Sequence, residues 1–323
     1  MLLSAVKSMA KQQFAILGID TSNYKTSVAI VDQEGKIICN EQQFLEVKKG
    51  ERGLRQSTAL FQHVNNLPKL IEKSFQSIPD NVEISGVSVS TRPRPVDGSY
   101  MPVFQSGYSA ASMISSVLHV PCYTVSHQEG HIEAVKFYSR FKEKSQLICF
   151  HFSGGTSEAL FVDEGKIEIV GGSKDLAFGQ VLDRLGVSLG MEFPCGQEMD
   201  EIACRVGKVK GNILPKIKCE NAYINLSGIE TKCQRSISDV DKDDLITMTF
   251  QRLAEAIVQM CKDLADQYAV RDFLFAGGVS SSQYIRTYLE TNLPDMEICF
   301  GDPKLSTDNA VGVALLGGNK IWR

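Results

Sequence analysis

The apolar and polar positions of the chain fall into one repeated grammar. Ala15–Ile19 and Leu147–Phe152 are short apolar runs of strand length. Each leads into a small polar loop, a second strand, a Glu-Gly turn and a third strand. Thr26, Ser27, Ala29, Glu34, Gly35, Lys36 and Ile37 each meet an identical residue 130 positions later, within Thr156–Ile167. That offset is far longer than a solenoid or propeller period and predicts a duplicated domain. Helical spacing at Leu60, Phe61, Val64, Leu67, Leu70 and Ile71 predicts a helix over Ser57–Phe75, with Pro68 as a flaw. A strand at Ile84–Ser90, a helix at Gly107–Leu118 and a strand at Pro121–Val125 follow. The second half predicts a helix over Asp244–Tyr268, a strand at Phe273–Phe275, a helix at Ser281–Thr291, a strand at Glu297–Phe300 and a closing helix from Asn309. This alternation predicts an α/β fold with a largely parallel sheet in each half. The expected lobes are residues 14–140 plus about 309–323, and 141–308, behind an N-terminal extension of residues 1–13. A nucleotide with a metal beside it is expected in the cleft between them.

Composition narrows the class. A chain of 323 residues accommodates two domains, and 43% hydrophobic with 22% charged residues supports a sizeable core rather than disorder. A net charge of -4 gives no global footprint for nucleic acid. The local run Arg205, Lys208, Lys210, Lys216 and Lys218 reads as a solvated face more readily than as an RNA patch. Nine scattered cysteines without a Cys-x-x-Cys pair point to reduced thiols and a cytoplasmic setting. No signal peptide is read in Met1–Gln13, and no stretch approaches the ~18 apolar residues of a membrane span.

Three loops carry the small residues that phosphate needs. Gly18–Ser22 and Phe152–Thr156 precede the two duplicated hairpins, and Phe275–Ser282 ends a buried strand and starts a helix. Glycine admits close approach, and backbone N–H groups with hydroxyls can face an anion. Asp20 can orient a magnesium-bound phosphate or cap a turn. His127 and His131 stand at i, i+4, on one face of a helix, a spacing that suits chelation of one ion as well as it suits surface or capping histidines. Gln128 stands where the zinc peptidase pattern needs Glu. Asp308, at the mouth of the final helix, can add a carboxylate.

The chain from about Phe14 onward resembles the tRNA N6-adenosine threonylcarbamoyltransferases, called TsaD in bacteria. These belong to the actin, hexokinase and Hsp-seventy-like ATPase superfamily, with duplicated ribonuclease-H-like lobes. The likeness is carried by Gly18–Ser22, His127–His131, Phe152–Gly155, Gly179–Arg184, Phe193–Asp200, Leu226–Gly228, Ala276–Val279 and Thr307–Asn309. It implies His127, His131 and Asp308 as ligands of zinc or iron. It places the substrate loop on His151, Phe152, Ser153, Gly154 and Gly155, the ribose contact on Asp183, and further contacts on Gly196, Asp200 and Ser282. The implied reaction moves threonylcarbamoyl from an adenylate, possibly with magnesium, to the N6 amine of a tRNA adenosine, usually with helper proteins. No catalytic acid or base is assigned.

The chain departs from the family pattern at Asn23-Tyr24-Lys25, at Thr91–Gly98, at Thr156 and at Ser282. Arg92 and Arg94 can clamp a carboxylate or phosphate, which suits a transferase with a non-tRNA acceptor. A non-catalytic nucleotide-binding scaffold is the third reading; a kinase is disfavoured because no phosphoacceptor pocket is legible.

Overall fold

Period-two alternation decides what each side of β1 (Gln13–Thr21) meets. Ala15, Leu17 and Ile19 join Val28, Ile30, Leu67, Leu70, Val87 and Val89 in one apolar cluster. Ile16 and Gly18 are turned to the other face, where the closing helix lies. The computed structural model describes residues 12–22, 24–47, 54–209, 211 and 213–322. Asn23, Lys210 and most of the expected N-terminal extension lie outside them.

Two compact units emerge: residues up to Ala134 with Asp308–Arg323, and Val135–Thr307. In the first, β1 pairs antiparallel with β2 (Lys25–Asp32), which pairs antiparallel with β3 (Ile37–Phe44). After α1 (Gln56–Gln76), β4 (Val82–Arg92) adds parallel to β1. After α2 (Phe104–Leu118), β5 (Cys122–Ser126) adds parallel to β4, and α3 (His127–Phe137) follows at once. The order is β3-β2-β1-β4-β5.

The second unit opens with the antiparallel meander β6 (Gln146–Phe152), β7 (Ser157–Asp163) and β8 (Lys166–Ser173). Helices α4 (Phe178–Ser188) and α5 (Gly196–Val206) follow, then the short strands β9 (Cys219–Glu220) and β10 (Tyr223–Ile224). Next come α6 (Ser227–Ser236), α7 (Lys242–Tyr268), β11 (Asp272–Ala276), α8 (Gln283–Asn292) and β12 (Glu297–Phe300). The order is β12-β11-β6-β7-β8-β10-β9, with β11 parallel to both β6 and β12. The chain returns to the first unit for α9 (Val311–Trp322), which packs on β1 and β4.

Both sheets are therefore mixed, and the expectation of largely parallel sheets is corrected. A short hairpin turn cannot make the crossover a parallel pair requires, so each Glu-Gly turn fixes an antiparallel pair. Gly35 and Gly165 adopt φ of 86° and 82° at those two turns, where a side chain would be strained. The duplication holds in topology but not in register. Thr26 lies inside β2 opposite Thr21, whereas its match Thr156 lies in the turn before β7.

Helix α1 corrects a second expectation. Phe61 and Val64 are exposed, and the buried stripe is Ala59, His63, Asn66, Leu67, Leu70 and Ser74. Hydrogen bonds of His63 and Asn66 with Thr26 of β2 satisfy the buried polar groups that the apolar count passed over. Pro68 sits on the exposed side and does not interrupt the helix.

No helix among the described residues is long and apolar enough to cross a membrane. In the basic run, Arg205 pairs with Asp243 at 2.7 Å and Lys218 with Glu220 at 2.5 Å, so acidic neighbours offset part of its charge.

Asp175 ties the β8–α4 connection to the start of α6. Its carboxylate accepts from the N–H groups of Leu176 (2.6 Å), Leu226 (2.7 Å) and Ser227 (3.1 Å). Burial opposes the charge, but the bonds from Ser227, Leu226 and Leu176 outweigh it and bring the pKa down to about 2. The folded value lies below the unfolded one of about 3.9, so this stabilisation is complete above that value and is lost as pH falls toward 2. Asp175→Ala is expected to cost about 1 kcal/mol at neutral pH, water screening the exposed carboxylate. Thermal melts should show the gap from wild type constant above about pH 5 and closing between about pH 4 and 2.

Candidate metal centre and phosphate loops

The start of α3 is fixed by a reciprocal cap. Glu129 Oε2 accepts from Ser126 N at 2.7 Å, and Ser126 Oγ accepts from Glu129 N at 3.2 Å. One turn then separates His127 from His131, and their Nε2 atoms stand 3.0 Å apart. Asp308 precedes α9, and a close crossing of α3 and α9 brings it to the imidazoles. A Cβ on Gly312 would collide with the carbonyl oxygen of Gly130, and one on Gly130 would meet Val313 Cγ2 at 2.9 Å. Asp308 Oδ1 lies 3.1 Å from His131 Nε2 and 3.6 Å from His127 Nε2. Ser22 Oγ donates to Asp308 Oδ2 at 3.1 Å, which leaves Oδ1 facing the imidazoles.

Asp20 is fully buried on the β1 face shared with Gly18. Its Oδ1 receives Ser90 Oγ at 2.5 Å and His127 Nδ1 at 3.0 Å. A carboxylate only accepts, so His127 keeps a proton on Nδ1, and Nε2 is the nitrogen that can give up its proton to take a cation. This corrects the expected loop at Gly18–Ser22: the strand runs through Thr21, the backbone is committed to the ladder with β2, and Asp20 is sealed behind His127. Gly18 serves helix packing, because a Cβ there would strike Ala310 O and come within 2.8 Å of Ala314 N.

The donor set passes a test of metal geometry. Ligands about 2.1 Å from one ion at tetrahedral or octahedral angles stand roughly 3.0–3.4 Å apart. The observed separations run from 3.0 to 3.6 Å. Asp20, Ser90 and Ser22 hold the donors from behind, as outer-shell groups hold ligands. The charge balance agrees. Burial disfavours protonation of His127, yet Asp20 and Asp308 push its pKa up to about 10. Burial likewise opposes the Asp308 charge, and the hydrogen bonds from His127 and His131 hold its carboxyl well below the usual range. The two carboxylates thus demand a positive charge between them, which a cation can supply in place of the His127 proton.

Lys25 adds a further cation. Its Nζ lies 3.1 Å from Gln42 Oε1 and 3.4 Å from the Asp308 carbonyl oxygen, and burial lowers its pKa against the pull of Asp308. Arg92 ends β4 half-buried, Arg94 is exposed, and the intervening Pro93 accepts from Gln128 N at 3.0 Å at the start of α3.

In the second unit the expected substrate positions gather at the C-terminal ends of the parallel strands β6 and β11. His151 and Phe152 close β6, with His151 opposite Ala276. Ser153 N bonds Thr156 O at 2.8 Å, and Ser153 Oγ accepts from Thr156 N at 3.0 Å, so Gly154 and Gly155 form an exposed turn. Gly179, at the start of α4, packs on that turn, where a Cβ would come within 2.7 Å of Gly154 Cα. Asp183 Oδ1 accepts from Cys195 N at 2.9 Å beside Gly196, and burial raises its pKa.

The N-terminus of α8 differs from expectation. A 3-10 turn (Gly278–Ser281) precedes it, and Asp200 accepts from Gln283 N (2.8 Å), Tyr284 N (3.1 Å) and Ser282 Oγ (2.5 Å). Ser282 Oγ also caps Ile285 N at 3.1 Å. These N–H groups are aimed at an internal carboxylate instead of an outside anion. Sequence reading missed Ser90, His63, Gly130 and Gly312. Only the glycines left a signal, as small residues beside the imidazoles and just after Asp308.

The fold is shared with solved proteins of several kinds. The chain superposes on component A of (R)-2-hydroxyglutaryl-CoA dehydratase from Acidaminococcus fermentans with a TM-score of 0.57 at 16% identity, covering 95% of this chain and 98% of that one. HypF from T. kodakarensis gives a TM-score of 0.63 at 12% identity, over 96% of this chain and 48% of its own. The family model for tRNA N6-adenosine threonylcarbamoyltransferase matches residues 37–315, and the chain belongs to that family. Proteins so named are similar to it: the Dictyoglomus turgidum enzyme is 28% identical over 93% of this chain and 92% of its own. The Ligilactobacillus salivarius enzyme is 27% identical over 96% and 92%.

Gly312→Ala tests the crossing that assembles the donors. The added methyl is expected to cost about 1–3 kcal/mol. It should also weaken Co(II) uptake, read by absorption, beyond any effect of Gly228→Ala, where a Cβ would meet nothing and φ is not left-handed.

Proposed function

We propose that the chain holds one zinc or iron ion on His127, His131 and Asp308 and transfers a threonylcarbamoyl group from an adenylate to the N6 amine of an adenosine in tRNA. The observation that carries this reading is the convergence of two imidazole nitrogens and one carboxylate oxygen within 4.8 Å, inside a chain of this family. Two nitrogens and one oxygen suit either metal and leave coordination positions for substrate. When bound, the ion supplies a Lewis acid that polarises the transferred carbonyl.

The balance of the transfer is simple. The N6 nitrogen forms a bond to the carbamoyl carbon, the bond from that carbon to the phosphate oxygen breaks, AMP leaves, and N6 loses one proton. Asp20 holds the Nδ1 proton of His127 and Ser22 holds Oδ2 of Asp308, so the donors need no rearrangement to take up charge. In the second unit, the exposed Gly154–Gly155 backbone beside the start of α4 suits the adenylate phosphate, and Asp183 suits a ribose hydroxyl. Asp200 and Ser282 shape that side through the α8 cap. Helper proteins of the same modification system and a cytoplasmic setting complete the reading; nine free cysteines fit a reducing compartment.

The test is direct. Purified protein supplied with threonylcarbamoyl-adenylate, tRNA and helper proteins should form the modified base, and His131→Ala should lower the rate at least about 100-fold while losing the ion. Folded, metal-loaded protein that leaves tRNA unmodified but consumes the adenylate points to another acceptor. Turnover unchanged by His131→Ala removes the metal reading.

A further inference from the structure

His63 lies on the buried stripe of α1, fully enclosed, and nothing above gives it a task beyond packing. Its Nε2 is 2.8 Å from the carbonyl oxygen of Ser22 and its Nδ1 is 2.9 Å from Thr26 Oγ1. A carbonyl only accepts, so Nε2 carries the proton and Nδ1 accepts from the Thr26 hydroxyl. Thr26 Oγ1 in turn accepts from Asn66 Nδ2 at 3.2 Å, which completes the set. The same Ser22 whose carbonyl is pinned in this way donates its hydroxyl to Asp308 Oδ2. Burial lowers the His63 pKa, in keeping with a neutral ring held in one tautomer.

We propose that His63 is a positioning residue for the metal-binding carboxylate, acting through Ser22 to fix which oxygen of Asp308 faces the imidazoles. The proposal rests on the metal reading above. Ser22 sits at the end of β1, beyond its last ladder pair at Thr21, so the strand itself does not fix its orientation. The bond from α1 supplies that constraint. A Ser22 free to turn would release Oδ2, and Asp308 would then lose the hydrogen bond that sets its rotamer. Outer-shell groups of this kind are worth about 10- to 100-fold in metal affinity.

Two substitutions separate positioning from packing. Gln at this position reaches as far as Nε2 and keeps the donor to Ser22; Asn reaches only as far as Nδ1 and keeps the Thr26 contact alone. Co(II) affinity, read from the visible bands, should stay within about threefold of wild type in His63→Gln and fall about tenfold in His63→Asn. In a Ser22→Ala background His63→Asn should cause no further loss, because the link it acts through is gone. Wild-type affinity in folded His63→Asn, equal losses in the two variants, or additive losses with Ser22→Ala would each overturn the proposal. A measurement on unaltered His63 guards against misfolding: zinc titration should shift the His63 Nε2–H proton resonance in wild type but not in Ser22→Ala. No shift in wild type that binds zinc also overturns it. Wild-type protein that takes up no Co(II) removes the metal reading itself, and this proposal with it.

Discussion

The close passage of α3 against α9, at Gly130 and Gly312, is the contact on which the candidate centre depends. It admits no side chain on Gly312, because a methyl there would occupy the place of the Gly130 carbonyl oxygen. Gly130 lies between the two histidines and Gly312 lies four residues beyond Asp308. The same backbone approach therefore sets the distance from carboxylate to imidazole. On its other side α9 lies on β1, where Gly18 again removes the Cβ that would hold the helix away. Three glycines thus let one helix touch both a strand and a second helix, and polar groups from all three elements meet at its mouth.

Those polar groups would be costly if any were left alone. A buried carboxylate without a partner loses hydration worth several kcal/mol. Asp20 recovers part of this from Ser90 and His127, and Asp308 recovers it from Ser22 and both imidazoles. The cluster still carries two acids around two rings, so its stable form includes an added positive charge, whether a proton or an ion. Lys25 helps from the backbone side of Asp308 without entering the group of donors. Its ammonium also stands over Phe44, 4.6 Å from the ring centroid.

Much of this was legible in the sequence, and the parts that were not share a cause. Apolar runs located β1, β4, β6 and β11, because burial of most of a strand writes itself into composition. The i, i+4 spacing of His127 and His131 anticipated their shared face, because helix geometry is local. Sheet direction and strand register were not legible: the Gly18–Ser22 segment has loop-like residues, yet β2 pairs with it through Thr21. Helix α1 shows the same limit. Counting apolar residues put Phe61 and Val64 inside, whereas His63 and Asn66 are inside, because partners on β2 make polar burial tolerable. The α8 terminus was read as open to an anion, and only coordinates reveal that Asp200 from α5 already answers it.

The 177-residue separation between His131 and Asp308 has a consequence for how the protein matures. A growing chain exposes the imidazoles long before the ribosome has made the acid that completes their set. Strands β1 and β4 exist by then, but the helix that seats Asp308 against them does not. On the proposed metal reading, ion loading is consequently a late event, coupled to the docking of α9. A nascent chain stalled before that helix would carry a two-nitrogen half-site with weaker hold on any metal.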